Sequence, residues 1–137
     1  MSKTDRLPLA LLLLQLAVFL VMLMWTIDKL LRPEHAAKIF ANFYFIGGIG
    51  NLSLQLIGAL ELALLCGFLL GFKKRVTYGA VLVLHGVSTF SSFKQYLAPF
   101  EGPNLLFFAA WPMLAACFAL YSLRGLDTMW VVGKPKS

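Results

Sequence analysis

The chain has 137 residues, of which 60% are hydrophobic and only 13% charged, and it carries a formal net charge of +6. A soluble domain of this size carries about a quarter charged residues, so there is too little polar surface to cover a water-soluble globule. The basic residues stand at the ends of apolar runs and are not gathered on one surface with interleaved aromatics, which excludes nucleic acid as a partner and points to the lipid bilayer.

The first apolar run extends from Leu7 to Ile27 and is broken only by Gln15 and Thr26. About 20 residues suffice to cross a hydrocarbon core of ~30 Å. The run is longer than the core of a signal peptide and lacks a small-residue cleavage site, so a retained membrane helix is expected. Trp25, Asp28, Lys29 and Arg32 gather at its outer end. Trp25 and Arg32 suit an interfacial anchor, whereas Asp28 does not and calls for a cation among Lys29, Arg32 and Lys94.

Pro33 stops this helix, because its ring fixes φ and removes a donor. From Glu34 to Phe45 the residues Ala37, Ile39, Phe40, Phe43 and Tyr44 recur at about helical spacing among charged neighbours. They predict a short amphipathic helix lying in the interface, followed by a flexible turn at Gly47, Gly48 and Gly50.

A second run, Asn51 to Phe72, is apolar apart from Ser53, Gln55 and Glu61 and ends at Lys73, Lys74 and Arg75. The third, Val76 to Leu97, holds His85, Ser88, Thr89, Ser91, Ser92 and Lys94 and is the most polar. A loop around Pro99, Glu101, Gly102 and Pro103 leads into the fourth, Leu105 to Leu123, which closes at Arg124. The expected fold is all-α, one domain over residues 1–137, a four-helix transmembrane bundle with an interfacial helix between the first and second spans. Eight Lys and Arg fall on the side of the N-terminus, the second connection and the C-terminal tail, against four on the other. The positive-inside rule then places both termini in the cytoplasm.

Glu61 and His85 each lie about ten residues from the cytoplasmic end of their runs, ~15 Å deep at 1.5 Å rise per residue. An ionisable group at such depth costs at least about 2.5 kcal/mol and needs a partner or a purpose. Consecutive antiparallel helices are neighbours, so the two are expected to meet, with Gln15 and Trp111 at the same depth and Pro112 freeing a helix carbonyl beside them. Such a centre handles protons or binds a ligand, with Glu61 as acceptor and His85 as donor or shuttle; the alternative is a buried pair that fixes helix register. Tyr78, His85, Ser88 or Thr89, and Ser92 share one face of the third run. They line a path, or they bind helix to helix through their hydroxyls, which is the ordinary use of such residues in membranes.

Other chemistries find no pattern. Cys66 and Cys117 sit inside apolar runs without CxxC spacing and read as small hydrophobes. No metal site is expected from two histidines at different depths, and neither a phosphate-binding glycine loop nor an activated nucleophile is present.

Two ordered segments resemble the DoxX-like family of four-helix membrane proteins. The family's first helix ends in a W-x-x-x-K-L-x-x-P-like stretch, here Trp25 to Pro33. Its second carries Gly-x-x-Glu-Leu, here Gly58 to Leu62, then a Leu-Leu-Gly-Phe-like end, here Leu69 to Phe72, and a basic turn, Lys73 to Arg75. The resemblance covers the chain from the first helix into the third, and places Glu61 at the family's acidic position and Lys29 at the lysine before the proline. It implies a four-helix bundle of a bacterial inner membrane, often linked with redox systems, with a thiosulfate:quinone oxidoreductase subunit among the relatives.

The function expected is an accessory component of a membrane redox system that binds a quinone-like ligand. Glu61 and His85 supply the polar contact, Trp111 or Phe107 stacks on the ligand, and the company is a redox subunit or a second copy of the chain. Competing readings are a non-enzymatic assembly or interaction protein, in which Phe40 to Phe45 matters most, and a small proton-coupled carrier or channel.

Overall fold

The computed structural model describes residues 3–43 and 50–128, and among these every regular element is helical. The helices are α1 (Lys3–Leu31), α2 (Pro33–Phe43), α3 (Asn51–Leu70), α4 (Lys74–Ser91), α5 (Phe93–Leu97) and α6 (Ala110–Ser122), with 3₁₀ turns at Asn104–Ala109 and Arg124–Leu126. Three stretches are long and apolar enough to cross a membrane: Arg6–Leu31, Leu52–Leu70 and Asn104–Ser122. The described residues are therefore all-helical, with three candidate membrane-spanning helices among them, which is compatible with an integral membrane protein.

Helix α1 outruns its apolar core at both ends, and its last turn closes through an Arg32 N–H bond to the Asp28 carbonyl of 2.7 Å. Helix α3 stops two residues short of the apolar run, because Gly71 adopts a left-handed conformation at φ 67°. The Phe72 N–H then reaches the Gly67 carbonyl at 2.8 Å and the Gly71 N–H reaches Phe68 at 3.2 Å, the paired bonds that end helices at glycine.

The third run bends away from a single helix at Ser92, where α4 ends and the short α5 begins. Helix α4 falls outside the three long apolar stretches because it opens with Lys74 and Arg75 and carries several polar side chains. Those polar groups are turned inward: Lys74, Thr77, Tyr78, His85 and Thr89 are buried beside Val81, while Val76, Val83, Leu84, Val87 and Phe90 are exposed. The fourth run starts as a 3₁₀ turn and becomes α6, in which Pro112 sits in the first turn, where a missing N–H costs little.

Helix α2 occupies the place of the expected interfacial helix, with Glu34 and Lys38 exposed and His35, Ala37 and Ile39 half-buried. Tyr44, Phe45, Gly47 and Gly48 lie outside the described residues.

Helix α1 packs chiefly on α3 and α4 chiefly on α6, and the two pairs share a core of Leu11, Val18, Leu65, Phe68, Tyr78, Val81, Cys117 and Leu120. Contact between α3 and α4 is less extensive, which leaves a groove between them. Leu13, Leu20, Met24, Leu60, Val83, Phe90 and Phe118 face outward, a contiguity of large apolar side chains that suits lipid contact.

Candidate functional site

Gly58 brings α1 and α3 together. A Cβ built there would stand 3.0 Å from Leu30 Cδ2 and 3.3 Å from Lys29 Cβ, so a larger residue would require these neighbours to give way. One turn further along α3, on the same face, lies Glu61. Its Oε2 accepts hydrogen bonds from Lys29 Nζ at 3.0 Å and from Thr26 Oγ1 at 3.1 Å. Thr26, fully buried, also lies 2.9 Å from the Met22 carbonyl, so its one proton is shared between the two acceptors. The Lys29 and Glu61 side chains keep only 15% and 17% of their exposure. The two segments that carry the family resemblance thus meet through this ion pair.

The partnership differs from the expected one: Glu61 is bonded to Lys29 and Thr26 and not to His85. His85, on the buried face of α4, is held by α6 instead, with Nε2 3.0 Å from the Ala110 carbonyl. A carbonyl only accepts, so Nε2 carries the proton. Gln15 does not join Glu61 either. From α1 it donates Nε2 to the Phe68 and Leu69 carbonyls at 2.7 and 2.9 Å, supplying donors to the end of α3, while its Oε1 is buried without a bond. Helix rise separates Gln15 from Thr26 by ~16 Å along α1.

Trp111 lies in an aromatic cluster at the far end of α4, 5.5 Å from Phe90 edge-on and 5.4 Å from Tyr96 between ring centres. Thr89 and Ser92 bond one turn back along the chain, Thr89 donating to the His85 carbonyl at 2.8 Å and Ser92 to that of Ser88 at 3.1 Å. That arrangement serves packing and forms no chain of hydroxyls across the helix. Asp28 has the cation expected of it, Arg32 at 3.6 Å, and a second neighbour that sequence reasoning missed, His35 Nδ1 at 2.7 Å. Both cysteines are free thiols, Cys117 buried and Cys66 exposed.

The groove between α3 and α4 has a volume of about 780 Å³. Its walls are apolar, including Ile57, Leu60, Leu64, Val76, Ala80 and Val83, with Glu61 and Arg75 as its charged residues. Glu61 thus belongs to two surroundings, the polar pair with α1 and the apolar groove beside α4. No family model, curated protein or solved structure matches this chain. The groove and the ion pair are therefore read from their own chemistry.

A second polar group lies where α4 begins. Lys74 Nζ donates to the Arg124 carbonyl at 2.9 Å and to the Asp127 carbonyl, and Tyr78 donates its hydroxyl to Asp127 Oδ2. Asp127 is fully buried. The sequence reading did not single it out, since it stands beyond Arg124, where the fourth apolar run closes. The only signal was its position, one short turn after the apolar run. Among the described residues no group of three or more His, Cys, Asp and Glu converges on a metal position.

Proposed function

We propose that the chain is a DoxX-like integral membrane protein of four spans that binds a small apolar ligand beside the Lys29–Glu61 pair, as an accessory component of a membrane redox system. The observation that carries this reading is Glu61 itself, a carboxylate tied to Lys29 and Thr26 that lines an apolar groove of about 780 Å³. Apolar hollows of about 300–1,000 Å³ with a few convergent polar groups are the usual form of ligand sites. Intramembrane charges mark functional positions more often than not. The polar contact first assigned to Glu61 with His85 passes to Glu61 with Lys29.

Helix α4 supplies the fourth span, its polar side chains turned into the bundle and Val76, Val83 and Val87 toward lipid. The distribution of Lys and Arg places both termini in the cytoplasm, and the family resemblance favours a bacterial inner membrane, a quinone-like ligand and a redox subunit or second copy as company.

Native mass spectrometry of the detergent-purified protein, with lipid extraction, tests this. A stoichiometric quinone-like or other small apolar ligand is expected on the wild type and lost in Glu61→Gln. A ligand-free protein that retains a partner subunit would replace this reading with an assembly role.

A further inference from the structure

Glu61 accepts on one oxygen only. Lys29 and Thr26 both reach Oε2, and no described residue donates to Oε1, which is not among the buried unbonded atoms. Glu61 is the carboxylate of an ion pair, and a carboxylate has acceptors and no donor. Glu61 lines the apolar groove, and an unmet acceptor on such a wall in the membrane selects an occupant that brings a hydrogen-bond donor.

We propose that the groove takes an uncharged long-chain amphiphile whose head carries a hydroxyl, with the hydroxyl donating to Glu61 Oε1 and the chain lying between α3 and α4 toward Arg75. This rests on the ligand-binding reading but replaces its quinone-like head with a hydroxyl-bearing one, because the ring oxygens of a quinone only accept. Heads that only accept, such as ethers, esters and ketones, would set lone pairs against the carboxylate. An anionic head gains nothing at Glu61, whose charge already matches that of Lys29. From Glu61 to the end of α3 is ~14 Å of helix, and Leu60, Leu64, Val76, Ala80 and Val83 line the way with apolar surface. The contact between α3 and α4 is the less extensive one, so the occupant enters sideways from the bilayer without parting the core.

The test compares dodecanol, its methyl ether and dodecanoate, titrated onto the full chain in zwitterionic nanodiscs and read by calorimetry and thermal shift. Dodecanol is expected to bind saturably and about tenfold or more tighter than the ether, because the ether leaves the acceptor unmet. In Glu61→Gln, Lys29 and Thr26 hold the amide oxygen and turn its NH₂ into the groove, so the ether is expected to bind at least as well as the alcohol. Val83→Trp, at an exposed position on the groove wall, is expected to block every probe and leave the bundle folded. Should Glu61→Gln fail to fold, the wild type against Val83→Trp still decides. Alcohol and ether binding alike, both blocked by Val83→Trp, would overturn the hydroxyl inference and leave the ligand reading standing. Tightest binding by dodecanoate, weakened in Arg75→Gln, would overturn it by placing an anionic head at the other end. Absence of any saturable binding that Val83→Trp blocks would bring down both.

Discussion

Lys29 and Glu61 are both largely withdrawn from solvent and partner each other at 3.0 Å. Desolvating two ions costs several kcal/mol, and their attraction at 3.0 Å, with Thr26 adding a hydrogen bond, offsets that cost. Removing one partner strands the other. Lys29→Met alone is expected to destabilise by about 2–3 kcal/mol, the low end for a buried pair because both side chains keep some exposure. Lys29→Met with Glu61→Gln should recover more than half of that. Equilibrium unfolding of the two single variants and the double in mixed micelles measures the coupling, and simply additive losses would show that the pair is not one unit. Glu61 was legible in the sequence because a carboxylate inside an apolar run is conspicuous. Its partner was not. Lys29 counts as an end-of-span residue by helix position, yet its long side chain carries the charge along the helix axis to Glu61. His85 was legible as buried and polar, but a backbone carbonyl of α6 satisfies it, and sequence patterns give no sign of backbone acceptors.

Close approach of α1 and α3 depends on a missing side chain. With Leu30 Cγ 3.1 Å and Lys29 Cβ 3.3 Å from where a Cβ would stand, Gly58→Ala forces either a shift of Leu30 or a separation of the helices. Overpacking of this kind costs about 1–3 kcal/mol, more than the helix propensity that alanine adds. Leu30→Ala introduced with Gly58→Ala is expected to restore the spacing and most of the stability, and with it the Lys29–Glu61 coupling. A Gly58→Ala variant at least as stable as the wild type would mean that Leu30 gives way freely and that the helices are not held at this point. The same elements show where sequence reading stops. Apolarity located the first, second and fourth runs to within a few residues, whereas the helix of the third stops at Ser91, short of its expected end at Leu97. The left-handed Gly71, the break at Ser92 and the 3₁₀ entry at Asn104–Ala109 were not legible, because they are set by local backbone hydrogen bonds that leave apolarity unchanged.

Whether the chain crosses the membrane three times or four turns on α4, the run with the weakest apolar signal. Its hydropathy is an average over two unlike faces. Lys74, Tyr78, His85 and Thr89 lie inside, while Val76, Val83, Val87 and Phe90 lie outside, so the exposed face is rich in valine, which the average conceals. A constraint from the ends is stronger. Lys74, at the start of α4, is bonded to the Arg124 and Asp127 carbonyls just past the end of α6. If the stretch Asn104–Ser122 crosses the bilayer, its far end and Lys74 share one side and Asn104 stands on the other. The chain between Lys74 and Asn104 must then cross as well, and α4 is the one long helix it contains. Where Arg6–Leu31 and Leu52–Leu70 cross too, the count is four, with residue 101 opposite residues 73 and 128. Single cysteines at Lys73→Cys, Glu101→Cys and Thr128→Cys, with Cys66 and Cys117 replaced by alanine, test this with a membrane-impermeant maleimide on right-side-out and inside-out vesicles. Positions 73 and 128 are expected to label from the cytoplasmic face and position 101 from the opposite face. Labelling of 73 and 101 from one face and 128 from the other would return α4 to the membrane surface and reduce the chain to three spans.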